Sequence, residues 1–165
     1  MNIKSIKAIP VDLRPTPTTK PRVQPDPNGG YFVSPMDRYK YDSPDRTWKD
    51  NWVRTACVVT AEDGTWGLGI TVASGPVCSI INEHFAEFLV GQDTMATEKI
   101  WDMMRRASAS HGTAGIQSYA ISAVDNAMWD LKGKLLGKPV YEILGGPVKD
   151  NIFCYASNTM LKYKT

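Results

Sequence analysis

The sequence predicts an α+β domain in which strands come first and helices follow. Its first half holds three runs rich in β-branched residues, and its second half holds three stretches whose apolar residues recur every three or four positions. Because strands and helices are segregated along the chain, a small antiparallel sheet packed on helices is favoured over a doubly wound parallel sheet. The predicted order is a three-stranded antiparallel meander, a three-helix bundle and one further strand.

The first strand is predicted by isoleucines that alternate loosely with polar residues, at Ile3, Ile6 and Ile9. Pro10 favours an edge position for this strand, because proline cannot donate a ladder hydrogen bond. Two more β-rich runs, residues 53–61 and 66–72, flank a short turn sequence and predict a β-hairpin. Gly64 lies in that turn and is expected to take a positive φ.

Three helices are predicted after the hairpin. The apolar face of the first consists of Ile80, Ile81, Phe85, Phe88 and Leu89. This helix is expected to end at Gly91, and the second to begin at Asp93 or Thr94, both good N-cap residues. The buried face of the third is predicted at Ile116, Tyr119, Ala120, Ala123, Val124, Ala127, Met128, Leu131 and Leu135. Gly137 and Pro139 are expected to end it.

The long connection over residues 14–51 carries seven of the eleven prolines and has no regular pattern. Connections of this length in a compact domain are usually functional loops or disordered linkers, so it is the predicted functional segment. At the other end, a short helical turn over residues 140–146 precedes a polar break and a β-run over residues 151–157. That run has no partner among the predicted elements. Residues 1–148 are therefore predicted to form one domain, and residues 149–165 to begin a second, incomplete one.

Composition limits the classes of function. A net charge of +2 without a basic block argues against nucleic-acid binding through charge. The apolar runs are too short for a bilayer span and the first residues lack the apolar core of a signal peptide, so a cytoplasmic location without a membrane partner is expected. The three cysteines are widely spaced, which favours reduced core thiols over a disulfide framework or a metal site. His84, between two glutamates, is expected on a solvated helix face.

No complete active site is predicted from local residues. Asp125 and Asp130 are five positions apart, on different parts of a helix surface, so structural roles are expected, including an ion pair between Asp130 and Lys134. Arg46 offers a planar fork for a carboxylate from the long connection; a solvated loop arginine is the alternative. Lys162 and Lys164 share one side of an extended chain and are suited to proton abstraction if desolvated; a solvated terminus is the alternative.

Residues 120–146, AISAVDNAMWDLKGKLLGKPVYEILGG, resemble the signature that ends the N-terminal domain in the mandelate racemase and muconate-lactonizing branch of the enolase superfamily. Within that branch, SPMDRYKYDSPDRTW and ACVVTAEDGTWGLGITVASG are similar to L-rhamnonate dehydratases. The resemblance implies an enolase-like N-terminal capping domain, with NIFCYASNTM as the first strand of a TIM-type barrel. It also implies a Mg²⁺-dependent sugar-acid dehydratase of carbohydrate catabolism whose metal ligands and catalytic bases lie in the barrel. No catalytic or metal-binding residue is therefore expected in this chain.

The same resemblance assigns substrate contacts to the long connection. Arg46 matches the substrate-contacting loop arginine of those dehydratases, and Tyr31 and Trp48 are further candidates for binding substrate. A loop histidine of that group has no counterpart here, so the identity of the sugar acid stays open. Lys162 and Lys164 follow the first barrel strand too closely to match the lysine pair of other superfamily members.

The expected partners are a small sugar acid, the chain's own barrel domain and, at full length, further copies of the same subunit. Two alternative functions are open. One is another reaction of the superfamily, a racemisation or a cycloisomerisation. The other is a truncated, non-catalytic module that associates with intact subunits, for which the unpartnered β-run over residues 151–157 would supply the contact.

Overall fold

The computed structural model describes residues 1–12 and 53–154. Its sheet consists of β1 (Ile3–Val11), β2 (Arg54–Ala61) and β3 (Trp66–Thr71), all antiparallel, in the spatial order β1-β2-β3. The predicted meander is confirmed, with β1 and its proline at an edge. The connection predicted over residues 14–51 lies outside the described residues, as does the part of the chain beyond residue 154.

The hairpin between β2 and β3 forms as predicted. Gly64 has φ 90° and donates its N–H to the carbonyl oxygen of Ala61 at 3.0 Å. The Asp63 carboxylate accepts a hydrogen bond from the backbone N–H of Thr65 at 2.9 Å, which closes the turn. Aspartate followed by glycine favours such turns because the first satisfies a backbone donor and the second tolerates the left-handed conformation.

The helices follow the sheet. They are α1 (Ser74–Ser79), a π-helical segment (Ile80–Phe85), α2 (Ala86–Leu89), α3 (Thr97–Ala107), a 3₁₀ turn (Ala109–His111), α4 (Ile116–Leu136) and α5 (Val140–Ile143). The first three are continuous; we call them the helical run, residues 74–89. This run contains the predicted first helix, and the chain then passes through Gly91 at φ 87°. Gly137, at φ 62°, ends α4 as predicted.

The predicted start of the second helix is wrong by three to four residues, since α3 begins at Thr97. Asp93 and Thr94 do not cap it because their side chains have other partners. The Asp93 carboxylate accepts the backbone N–H of Met95 at 3.0 Å. The hydroxyl and the backbone N–H of Thr94 both donate to the carbonyl oxygen of Met1, at 2.9 and 3.0 Å. These contacts fasten the N-terminus to the turn that precedes α3.

Helix α4 packs directly on β3 through two glycines. A Cβ atom on Gly67 would overlap the carbonyl oxygen of Ala127, and one on Gly69 would overlap that of Ala123. The strand and helix backbones are therefore in contact without intervening side chains. This close approach requires glycine on the strand and small residues on the helix.

The core lies between the inner face of the sheet and the helices. Its largest fully buried apolar side chains are Ile3, Val59, Val77, Ile81, Phe85, Leu89, Ile100, Met104, Val124, Met128 and Leu131. The predicted face of α4 is confirmed at its centre, while Ile116 and Leu135 near its ends are partly buried and Tyr119 is 42% exposed. Ile121, outside the predicted face, is buried because α3 packs against that side of α4, with Trp101 and Arg105 beside it.

The outer face of the sheet is apolar and exposed. Ile9, Leu68 and Ile70 are each between 38% and 45% exposed, and Trp66 is 49% exposed. These residues alternate along their strands with buried ones, so they follow from the two-residue period of a strand. Among the described residues, no helix has the length and apolar character that crossing a membrane requires.

The short helical turn predicted after α4 is confirmed as α5, and Gly145 and Gly146 follow it with positive φ. Residues 151–154 form no strand, although a β-run was predicted from residue 151. No described strand lies beside them to pair with, and Ile152 and Phe153 are 79% and 93% exposed. The remainder of that predicted run lies outside the described residues.

Gly69→Ala is expected to destabilise the protein by about 3 kcal/mol, because the new methyl group must displace the backbone of α4. The measurement is the free energy of unfolding from urea denaturation. Ile70→Ala, on the exposed face of the same strand, is the matched control and should cost within about 1 kcal/mol. Equal losses in the two variants would contradict the packing described for α4 and β3.

Candidate functional site

Three strand ends lie together at the end of the sheet opposite the hairpin turn. β1 ends there, β2 begins there and β3 ends there: Val11 pairs with Arg54, and Thr55 pairs with Thr71. The predicted functional segment leaves the sheet after β1 and returns before β2. We call this end the loop base, defined as residues 11–12, 53–55 and 71–74.

The predicted substrate-binding residues Tyr31, Arg46 and Trp48 lie outside the described residues, so their roles stay predictions. The same holds for Lys162 and Lys164. What the structure does describe is the loop base and the helices that hold it.

Ala73 lies in the loop base with φ 60° and ψ 59°, and it is the one non-glycine residue with positive φ in the described ranges 1–12 and 53–154. The left-handed conformation places Cβ close to the following carbonyl oxygen, so it is strained for any L-residue except glycine. The surroundings hold it in place. Ser74 donates its backbone N–H to the carbonyl oxygen of Val53 at 3.1 Å, and Val77 donates to the carbonyl oxygen of Ala73 at 3.2 Å.

A side chain holds strand β1 shortly before the strand reaches the loop base. Asn82, in the π-helical segment, accepts the backbone N–H of Ala8 at 2.7 Å and donates its amide to the carbonyl oxygen of Ala8 at 2.9 Å. These are the two bonds that a neighbouring strand would make with this edge residue. Pro10, further along the same edge, has no N–H to satisfy. The free edge of β1 is thus closed just before the chain enters the long segment.

The sequence signals for Asn82 and Ala73 differ. Asparagine is a poor helix former, and its side chain often forms hydrogen bonds with the backbone instead. Its presence in an apolar helical pattern is therefore a signal from which the backbone contact of Asn82 could be predicted. Alanine is an ordinary helix former with no preference for positive φ. The conformation of Ala73 therefore has no signal in the sequence.

The cysteines near the loop base are free thiols. Cys57 is fully buried in β2, and burial, with Cys78 nearby, raises its pKa to about 12. Its thiol therefore stays protonated and unreactive at neutral pH. Cys78 is partly buried, with its sulfur 3.8 Å from the hydroxyl of Thr55. Cys154 is exposed, so the prediction of a core thiol is wrong for this residue; it belongs to the segment after α5 that lacks a packing partner.

Asp130 of α4 has the structural role that the sequence predicts, including the ion pair with Lys134. The Asp130 carboxylate accepts the backbone N–H of Leu68 at 2.8 Å and pairs with Lys134 at 2.7 Å. Lys134 also donates to the carbonyl oxygen of Trp66 at 3.0 Å. Asp125 is partly buried, and desolvation, with the charge of Glu98 nearby, raises the pKa of its carboxyl group. The two carboxylates therefore lie in different surroundings.

His84 is not on a solvated face, which corrects the prediction. Its ring lies 5.5 Å from that of Phe85, 5.6 Å from Phe88 and 6.2 Å from His111. Its Nε2 atom is buried and has no hydrogen-bond partner among the described residues. Phe88 lies four positions along the same helical run and His111 lies in the 3₁₀ turn, so neighbours from two elements cover the ring.

The described residues do not fit a metal site. No group of three or more histidine, cysteine, aspartate or glutamate side chains is arranged to hold a metal ion within residues 1–12 and 53–154. A magnesium ion prefers several oxygen ligands in near-octahedral geometry, whereas the Asp130 carboxylate is engaged by the backbone N–H of Leu68 and by Lys134.

The fold and the sequence together define the class of protein. Residues 52–145, more than half of the chain, match the family model described as "Mandelate racemase / muconate lactonizing enzyme, N-terminal domain". The chain belongs to this family. Its three-stranded sheet followed by helices is the α+β architecture of an enolase-like N-terminal capping domain.

Individual relatives are named for related reactions. The chain is 43% identical over 129 residues to L-rhamnonate dehydratase of Saccharopolyspora erythraea, covering 77% of this chain and 33% of that protein. It is similar to the crystal structure of rhamnonate dehydratase from Gibberella zeae complexed with Mg, at 36% identity and TM-score 0.57, over 59% of this chain and 24% of that one. It is also similar to 3,6-anhydro-D-galactonate cycloisomerase from Zobellia galactanivorans, at 38% identity and TM-score 0.55, over 57% and 27% of the two chains.

The chain spans about a third of the length of the curated relative that it matches. The similarity to these proteins therefore concerns their N-terminal domains. The activity of a whole enzyme is a separate question for this chain.

Asp125→Asn is expected to raise the melting temperature at pH 7, because the carboxylate is ionised there in a desolvated position near Glu98. A raised folded-state pKa means that the folded protein binds the proton more readily, so the stability of the native sequence falls as pH rises through the carboxyl range. The advantage of the variant should therefore vanish in acid. Thermal melts between pH 3 and pH 7 are the measurement, as an approximate working range.

Asp130→Asn is the matched control on the same helix. It loses the ion pair with Lys134 and should show no stabilisation at pH 7. A lower melting temperature of Asp125→Asn at pH 7 would show that Asp125 has a stabilising partner.

Proposed function

We propose that this chain is the N-terminal capping part of a Mg²⁺-dependent acid-sugar dehydratase similar to L-rhamnonate dehydratase. The observation that carries the proposal is 43% identity over 129 residues to the enzyme of that name from Saccharopolyspora erythraea. The substrate is a six-carbon aldonate such as L-rhamnonate. The reaction removes the proton from the carbon next to the carboxylate and then breaks the carbon–oxygen bond at the neighbouring carbon, so that water leaves.

In this proposal the described residues form a scaffold. The contacts with the substrate are made by the segment between Asp12 and Val53. Arg46 binds the carboxylate of the sugar acid through its guanidinium group, and Tyr31 and Trp48 contribute further contacts. The support is the loop base, which fixes both ends of that segment at one end of the sheet. The engagement of Asp130 with Leu68 and Lys134 agrees with a structural role for α4.

The catalytic bases and the Mg²⁺ ligands belong to a barrel domain that begins within residues 149–165. The support for this assignment is the segment after α5, which presents apolar side chains that need a cover. Val148 is 95% exposed and Phe153 is 93% exposed, beside a groove of about 650 Å³ next to Tyr141. We also propose a cytoplasmic location and a homo-oligomer at full length, both from the family and the composition.

A second candidate function is cycloisomerisation of a sugar acid. The observation that favours it is 38% identity to 3,6-anhydro-D-galactonate cycloisomerase over 57% of this chain. Dehydration yields a keto acid and one water, whereas cycloisomerisation leaves the composition of the substrate unchanged. Mass spectrometry of the product, with Mg²⁺ and a panel of aldonates and anhydro sugar acids, separates the two.

The intact mass of the protein made from its own gene tests whether the chain is part of an enzyme. A chain of roughly 390 residues agrees with the proposal, since the 129 matched residues are 33% of the relative. A mass of 18.3 kDa would instead favour the non-catalytic module.

Arg46→Ala in the full-length enzyme is expected to lower kcat/KM for a sugar acid by about 10- to 100-fold, the value of a charge-assisted hydrogen bond of about 1.5–3 kcal/mol. The melting temperature should not change. Arg46→Lys keeps the charge but lacks the planar guanidinium fork, so its kcat/KM should lie between the values for the native enzyme and for Arg46→Ala. Arg106→Ala, on α3 and outside the loop base, is the control and should leave kcat/KM unchanged. Unchanged kinetics in Arg46→Ala would rule out the substrate contact.

A further inference from the structure

Helices α3 and α4 run antiparallel and form a groove on the surface of the domain. At one end, the hydroxyl of Ser108, which follows α3, donates to the side-chain oxygen of Gln117 in the first turn of α4 at 3.2 Å. At the other end, the ammonium group of Lys132 in α4 donates to the carbonyl oxygen of Met95, just before α3, at 3.1 Å. The groove has a volume of about 270 Å³ and is lined by Trp101, Arg105, Ser118, Ile121, Ser122 and Asp125.

Opposite charges lie at the two ends of this groove. Near the end of α3, the guanidinium of Arg105 lies over the Trp101 ring, 5.2 Å from its centroid. Glu98, in the first turn of α3, is two turns away from Arg105, about 10 Å along the helix axis. Desolvation, and then the charge of nearby Glu98, raises the pKa of the Asp125 carboxyl group, so these two carboxyl groups share one end. The groove is therefore negative at that end and positive at the Arg105 end, with Trp101 between them.

These charges lack opposite partners in the described part of the chain. Among residues 1–12 and 53–154, no ion pair includes Arg105, Glu98 or Asp125. Trp101 is 41% exposed, although its side chain lies in the groove. Tryptophan and arginine are the side chains that most often carry the binding free energy of protein interfaces. An exposed tryptophan beneath an unpaired arginine is therefore typical of a contact surface.

We propose that this groove is the contact surface between two copies of the chain, related by a two-fold axis that passes near Trp101. Such an axis reverses the direction of the groove, so the Arg105 end of one copy faces the Glu98 end of the other. Each contact occurs twice, and both contacts pair opposite charges. The occupant is a second copy because the surface is complementary to itself.

The test is the molar mass of the full-length protein, measured by sedimentation velocity. Arg105→Glu places like charges at both ends of the interface at once. It should weaken self-association at least about 100-fold and reduce the mass to half or less. Ser122→Arg, which fills the groove from an exposed position of α4, should have the same effect. Arg106→Glu is the matched control, because it makes the same charge change at the next position of α3, outside the groove, and should keep the native mass.

A charge exchange separates loss of the contact from a folding defect. Glu98→Arg together with Asp125→Asn reverses the negative end and should reduce the mass as Arg105→Glu does. All three substitutions together exchange the two ends, so the surface is again complementary to itself and the native mass should return. A triple variant that stays dissociated would overturn the inference.

A monomeric native protein would also overturn it and would assign the groove to a partner other than this chain. An unchanged mass in both Arg105→Glu and Ser122→Arg would do the same, as would an equal loss of mass in Arg106→Glu. The inference goes beyond the proposed function and does not depend on it. The mass reports the assembly, whereas the product formed from a sugar acid reports the reaction, so either can fail alone.

Discussion

The contact between β3 and α4 is the constraint on which the rest of the domain depends. Gly67 and Gly69 let the helix lie directly on the strand, with the carbonyl oxygens of Ala123 and Ala127 where Cβ atoms would otherwise be. This fixes the height of α4 above the sheet. It follows that the remaining core side chains fill a space whose dimensions the backbone has already set.

The same contact explains the use of the acidic residues on α4. With the helix so close to an edge strand, Asp130 reaches the N–H of Leu68 and Lys134 reaches the carbonyl oxygen of Trp66. Both side chains therefore form hydrogen bonds with the backbone of β3. In this domain the charged side chains of α4 nearest to β3 therefore have a structural role.

The sequence predicted what local chemistry decides and missed what distant contacts decide. The turn at Gly64 and the helix end at Gly137 are predicted correctly, because both need a residue with positive φ whatever surrounds them. The start of α3 was wrong because the hydroxyl of Thr94 is taken by Met1, a residue far away in the sequence. His84 was placed in solvent from its glutamate neighbours, but aromatic rings from Phe88 and His111 cover it. The loop base followed from the strand order, whereas the strain at Ala73 left no trace in the sequence.

The bonds from Asp130 and Lys134 to β3 also bear on the solubility of the domain. An uncovered edge strand offers unpaired backbone groups to other chains, and Trp66, Leu68 and Ile70 would make that edge attractive for cross-β association. By occupying the N–H of Leu68 and the carbonyl oxygen of Trp66, the helix denies a foreign strand its first two hydrogen bonds. A surface ion pair that contributes little to folding free energy thus also blocks part of the free edge of β3.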